Sequence, residues 1–216
     1  MNLKHYYWYF QSALPNRLCN DILEYGKKNA LQTAVTGTDV IENLTEEQLK
    51  NIQLTRKSEV VWLNDQWIYN EIYPYLKSAN ENAGWNFEYS WSESCQFTKY
   101  SVGNYYGWHC DSHENPYIKD ENDPLNGKIR KLSMTISLSD PDEYEGGNLE
   151  FDFRNTGGDE WVNKDSNNIN NYRLCTEIRP RGSIVVFPSF VWHRVTPVTK
   201  GTRYSLVVWT CGQPYK

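Results

Sequence analysis

The sequence is short of several things, and each shortage excludes something. It has no Cys-x-x-Cys pair, and its five cysteines, Cys19, Cys95, Cys110, Cys175 and Cys211, are widely scattered. That argues against a zinc ribbon or a disulfide framework and fits reduced thiols in a cytoplasmic protein. It has no apolar run long enough to span a bilayer. The opening MNLKHYYWYFQSALPN lacks the apolar stretch and small-residue cleavage site of a secretory leader. Positive charge is outnumbered, with 22 Lys and Arg against 27 Asp and Glu and a net charge of -5. An acidic chain does not suit a nucleic-acid backbone, so nucleic acid is not expected as a partner, and without a spanning run neither is a membrane. No internal repeat or low-complexity linker occurs. A single domain over 1–216 is the simplest reading, and 216 residues suffice for a full core.

Aromatic residues are plentiful, with 9 Trp and 16 Tyr. They bury large areas and also line pockets. Tyr6 to Phe10 reads as a strand. Leu14, Leu18, Ile22 and Leu23 recur at helical spacing behind Pro15, which suits a first turn. In NLTEEQLKNI, Thr45 stands three before Gln48, a capping-box pattern for a short helix. SEVVWL reads as a strand. NDQWIYNEIYPYLKSANENAG reads as a helix ending at Gly84, with Pro74 expected to kink or break it.

After Trp85 the pattern turns to short strands. The expected ones are Asn86–Ser90, Cys95–Ser101, Tyr105–Asp111, Lys131–Ser139, Asn148–Phe153, Ser183–Phe187, Trp192–Val195 and Thr202–Thr210. Residues 1–84 form a helical support region and 85–216 a β core, a barrel or sandwich with helices on one outer face. Two long polar segments, Ser112 to Gly127 and Arg154 to Asn171, interrupt the strands as candidate lids or binding loops.

The chemistry-bearing stretch is YYGWHCDSH, Tyr105 to His113. A zinc site, a nonhaem iron site and an ordinary polar turn all remain open for it. On a strand, residues two apart share a face, so His109 and Asp111 point together and Trp108 and Cys110 point away. An imidazole beside a carboxylate supplies two ligands of a facial triad. Cys110 is expected as a small core residue, and His113 as a surface histidine past the strand. Further along, His193 opens one strand and Arg203 lies on the next, where Arg203, Ser205, Val207 and Trp209 share a face. An inward arginine needs a carboxylate, either a structural Asp or a small dicarboxylate ligand. KLSMTISLS alternates strictly: Leu132, Met134, Ile136 and Leu138 on one face, Ser133, Thr135 and Ser137 on the other. Gln96, Thr98 and Tyr100 form a similar polar face. Faces lined with hydroxyls suit a cavity for a polar ligand.

Together HCD (His109 to Asp111), LSMTISLSDPDEYEGGNLEF, His193 and Arg203-x-Ser205 resemble the Fe(II)/2-oxoglutarate dioxygenases. The nearest likeness is to the prolyl-4-hydroxylase-like branch, which includes the PKHD-type hydroxylases. It runs from about Gln96 to Trp209 and extends more loosely to NENAGWNFEY. The resemblance implies a double-stranded β-helix, or jelly roll, with N-terminal helices packed on one sheet. It implies that His109, Asp111 and His193 hold Fe(II) and form the catalytic centre. Arg203 and Ser205 would grip the distal carboxylate of 2-oxoglutarate, and Tyr100 would face it. Ser137 stands where some relatives carry a tyrosine for that carboxylate. Trp209 matches an aromatic near the metal. The implied reaction uses O2, yields succinate and carbon dioxide, and hydroxylates a C–H bond, with ascorbate as a candidate reductant. A peptidyl proline is the first substrate class implied, a free amino acid or small metabolite the second. Nucleobase oxidation ranks low for an acidic chain. A noncatalytic binding module on the same fold is the alternative of another class, and the intact triad argues against it.

Overall fold

In the computed structural model, residues 3–29, 32–34, 45, 47, 54–112, 115–153 and 172–215 are described. Of the short helix expected behind Thr45 only Glu47 is described, and it is helical; residues 48–53, the segment Arg154 to Asn171 and His113 lie outside the described residues.

Two helices form as their apolar spacing dictates. Helix α1 spans Asn16–Lys28 with Pro15 at its N-cap, and it buries Cys19 and Ile22. Helix α2 spans Gln66–Asn82 and buries Ile68, Ile72, Leu76 and Ala79, spaced three and four apart. It continues through Pro74 without the break that proline can impose. Pro74 and Asn70 are both exposed, so water can take the Asn70 carbonyl that the missing N–H leaves free. Gly84, at φ +71°, ends the turn beyond this helix.

The strands are β1 (Trp8–Phe10), β2 (Gln32–Thr33), β3 (Arg56–Lys57), β4 (Glu59–Leu63), β5 (Trp91–Ser92), β6 (Cys95–Tyr100), β7 (Tyr105–His109) and β8 (Ile129–Ser137). They continue as β9 (Tyr144–Gly146), β10 (Leu149–Asp152), β11 (Arg173–Leu174), β12 (Ile184–Pro188), β13 (Trp192–Val195), β14 (Val198–Gly201) and β15 (Arg203–Gly212). The larger sheet runs β1-β12-β8-β15-β6-β4-β2, with β5 also paired to β15. The smaller runs β11-β10-β13-β7-β3, and β9 pairs with β14. Every pairing is antiparallel. This is the expected architecture, mainly β with flanking helices: two facing sheets of a jelly roll, the larger carrying α1 and α2.

The core follows from alternation. Leu132, Met134 and Ile136 of β8, Leu206 and Val208 of β15 and Ile184 and Val186 of β12 pack with Ile22 of α1 and Ile68, Ile72 and Leu76 of α2. A second cluster joins Leu149, Phe151, Val185 and Phe187, between the sheets. The expected strand over Asn86–Ser90 does not form. Asn86 sits at φ +51°, and the Asn80 side chain holds Phe87 by accepting from its N–H and donating to its carbonyl. That local side-chain bonding replaces a ladder.

Candidate active site

Strand β13 lies beside β7 with His193 opposite His109. Asp111 follows two residues after the end of β7, in a turn rather than on the strand. Its backbone N–H and that of Ser112 donate to the Ser189 carbonyl, at 2.8 and 2.9 Å. One ligand atom each from His109, Asp111 and His193 lies within 4.8 Å of the others. His109 Nδ1 donates to the Gly107 carbonyl at 2.8 Å, and His193 Nδ1 to the Val191 carbonyl at 2.9 Å. A carbonyl only accepts, so each Nδ1 carries the proton and each Nε2 keeps its lone pair. Those Nε2 atoms face Asp111, His109 at 3.6 Å from Oδ1 and His193 at 3.6 Å from Oδ2.

Electrostatics suit a cation at the shared point. Burial alone would raise the Asp111 carboxyl, but the positive charge that His193 and His109 take up in acid and the Arg130 guanidinium outweigh it and hold it well below the usual carboxylate range. Burial, reinforced by His109, pushes His193 down to about 4, so the ring is neutral near pH 7. A neutral imidazole and an ionised carboxylate are the metal-binding forms. Two imidazoles and one carboxylate, with no thiolate, form the donor set of a facial triad and not of a structural zinc site. Cys110 is not in the cluster; its thiol donates to the Ser112 carbonyl at 3.4 Å. It is half-buried, where a core position was expected, because the chain leaves β7 before reaching it.

The three donors open onto a cavity that Arg203, Ser205, Tyr100 and Trp209 also line. Arg203 is 3% exposed, and its Nη1 donates to Ser205 Oγ at 3.4 Å. Its guanidinium lies 5.4 Å from the centre of the Tyr100 ring. No carboxylate of the described residues pairs with it, so among them the structural Arg–Asp pair does not form. Gly147, at φ +57°, lets it fit: a Cβ there would meet Arg203 Cδ and Val198 at 3.0 Å. Ser137 faces Ser205 across the β8–β15 ladder, is 1% exposed, and has no partner for its hydroxyl among the described residues. It is not on the cavity wall. Trp209 Nε1 is likewise buried without a partner.

Sequence reasoning overlooked several wall residues. Gln96 and Thr135 were on the expected polar faces without being singled out. Tyr106 stacks on His109 with ring centres 3.5 Å apart and 12° between planes, and burial pushes its phenol up to about 12. Strict alternation would turn Tyr106 away with Trp108, but the ladder shifts register between His193 and Val195 and brings it in. Phe187 meets the His193 ring edge-on at 4.7 Å, a contact no local pattern shows. A separate open groove along α2, with Tyr73, Pro74, Tyr89 and Trp91, contains none of the donors.

Comparison with known proteins agrees with this geometry. Residues 95–211, more than half the chain, match the 2OG-Fe(II) oxygenase superfamily. A PKHD-type hydroxylase of Synechococcus is 40% identical over 109 residues, 50% of this chain and 37% of that protein. One of Prochlorococcus marinus is 31% identical over 160 residues, 74% of this chain and 58% of that protein. The matched segments thus cover between about a third and three-fifths of these relatives. Among solved structures, a prolyl-4-hydroxylase of Pseudomonas putida superposes with a TM-score of 0.63 at 18% identity, over 98% of this chain and 95% of that one. A viral collagen prolyl hydroxylase from Paramecium bursaria Chlorella virus, in a 2OG complex, gives 0.61 at 17%, over 97% of each chain. At such identity these two establish the fold alone. The superfamily match rests on sequence, and it spans the three donors and Arg203: this chain belongs to the 2OG-Fe(II) oxygenase superfamily.

Proposed function

We propose that this chain is an Fe(II)- and 2-oxoglutarate-dependent hydroxylase acting on peptidyl proline. The carrying observation is the cavity with His109, Asp111 and His193 at one place on its wall and, at another, Arg203, which has no carboxylate partner among the described residues. In this reading His109, Asp111 and His193 hold the iron. When bound, the iron supplies the oxygen activation that couples decarboxylation of 2-oxoglutarate to succinate with hydroxylation of a C–H bond.

The chain's own residues do the rest. Arg203 offers a planar fork to the distal carboxylate of the cosubstrate, and burial strengthens that pairing. Ser205 fixes one arm of the fork. Tyr100 covers the guanidinium, and the Thr135 and Gln96 side chains give this cavity further polar wall. Tyr106 and Phe187 brace the two imidazole rings and keep water from them. Trp209 forms wall beside Asp111, with its free Nε1–H turned to no protein acceptor.

The peptide assignment draws on the PKHD-type relatives and on a Trichoplax adhaerens prolyl hydroxylase, solved with a hypoxia inducible factor peptide, that shares the fold at a TM-score of 0.58. A single domain over 1–216 is part of the proposal, supported by the core that α1 and α2 share with β8, β12 and β15. So is a cytoplasmic location, supported by the five cysteines forming no disulfide with one another. Among the described residues no helix is long and apolar enough to cross a membrane.

The test is succinate release from 2-oxoglutarate with Fe(II), ascorbate and O2, run against proline-rich peptides and free amino acids, with mass spectrometry of each product. A peptide gaining one oxygen on proline is the expected result. Oxygen gained only by a free amino acid overturns the substrate class, and absence of both iron binding and turnover overturns the enzyme reading.

A further inference from the structure

Asp111 is held by more than its place in the sequence. Its two carboxylate oxygens are equally near the imidazoles, each 3.6 Å from one Nε2. On that basis either oxygen, or both, could serve a metal. One contact removes the symmetry: Ser133 Oγ, from the inner face of β8, donates to Asp111 Oδ2 at 2.7 Å. A hydroxyl–carboxylate bond this short is a charge-assisted one. Ser133 Oγ also lies 2.9 Å from Ser189 Oγ, just past β12. A hydroxyl has one hydrogen, and that of Ser133 is committed to the carboxylate, so Ser189 must be the donor of the second bond. The order of donation is Ser189 to Ser133 to Asp111. Both serines are fully buried, at 0% exposure. The same Ser189 accepts the Asp111 and Ser112 N–H groups on its carbonyl, and its own N–H donates to the Lys131 carbonyl. Main chain and side chain of the carboxylate residue are thus pinned from one point by two strands of the other sheet.

We propose that Ser133, oriented by Ser189, is a positioning residue that fixes which oxygen of Asp111 serves the metal: the hydroxyl occupies Oδ2 and leaves Oδ1 as the donor. A carboxylate tethered in this way spends one coordination position rather than two, which keeps the remaining positions for cosubstrate and oxygen. The inference rests on the metal reading above.

The experiment titrates Co(II), whose visible spectrum reports ligand geometry, into wild type, Ser133→Ala, Ser133→Thr and Ser189→Ala, and also measures thermal melting of each metal-free form. Wild type should bind one Co(II) per chain. Ser133→Ala should bind it about 10–100-fold more weakly, the usual cost of losing an outer-shell partner, with an altered spectrum. Ser133→Thr, which keeps the hydroxyl, should restore both. Ser189→Ala should weaken binding by less. A structural tie alone would lower the melting temperature of metal-free Ser133→Ala and leave its Co(II) affinity and spectrum at wild-type values, which would overturn the proposal. If Ser133→Ala does not fold, Ser189→Ala decides: weakened binding supports the relay, unchanged binding overturns it. A wild type that binds no Co(II) overturns the metal reading itself.

Discussion

The two faces of β8 are equally hidden from water and do opposite work. On one, Leu132, Met134 and Ile136 are at most 1% exposed and pack against the helices. On the other, Ser133 and Ser137 are also at most 1% exposed, and Thr135 is 7%. The first face stabilises by removing apolar surface from water. The second must find hydrogen bonds or be destabilising, and protein groups do not satisfy it fully. Ser133 has Asp111, whereas the Ser137 hydroxyl and, on the adjoining strand, Trp209 Nε1 have no partner among the described residues. Burial alone therefore does not mark a core: alternate residues of this strand build the fold, and the others carry hydroxyls, of which Thr135 lines the cavity.

Four changes would break or sharpen that contrast, in falling order of effect. Asp111→Ala removes a donor at the centre of the polar side. Iron content should fall by more than the roughly 100-fold that outer-shell losses reach, and turnover should vanish with it. Normal iron content would place the site elsewhere. On the apolar side, Leu132→Ala should cost about 2–5 kcal/mol in denaturant unfolding and leave metal affinity of the folded protein unchanged. A comparable loss of metal affinity would show that the two faces are not separable. Arg203→Ala should raise the half-saturation for 2-oxoglutarate about 10–100-fold while iron still binds, since a hydrogen bond to a charged group is worth roughly 1.5–3 kcal/mol. An unchanged half-saturation would count against Arg203 as the carboxylate anchor.

The smallest effect is on pH. His193 has its folded pKa near 4, below the ordinary value of 6.5. Between those values the unfolded chain binds the extra proton, so the stability of the metal-free chain rises with pH across that window. Asp111, with its lowered carboxyl, acts in the same direction only further down, below the ordinary carboxylate pKa. Acidifying the metal-free protein from pH 6.5 to 4 should therefore lower its melting temperature by several degrees. His193→Gln should flatten that slope and Leu132→Ala should not, as melting curves at stepped pH will show.

Much of this contrast was legible in the residues, because it depends on local periods. The alternation of KLSMTISLS separated the faces of β8, the spacing of Arg203, Ser205, Val207 and Trp209 placed those side chains together, and His109 and Asp111 stood near each other by simple parity. The resemblance then supplied His193, which no short-range pattern ties to the other two. What stayed hidden depended on partners distant in sequence or on irregular backbone. Ser133 reaches Asp111 across 22 positions and Ser189 across 56. Tyr106 enters the cavity only because of the register shift beside Val195. The strands β2, β3, β5 and β11 are two residues long, too short to show any period. Asn86, left-handed, ended a strand that composition favoured.

The most direct test of the central claim is calorimetric titration of 2-oxoglutarate into the anaerobic protein, with and without one equivalent of Fe(II). Cosubstrate held between an iron on His109, Asp111 and His193 and the guanidinium of Arg203 should bind at one site per chain, tightly with iron and much more weakly without it. Binding of equal strength in both cases, or none in either, would contradict a shared metal and cosubstrate site in this cavity.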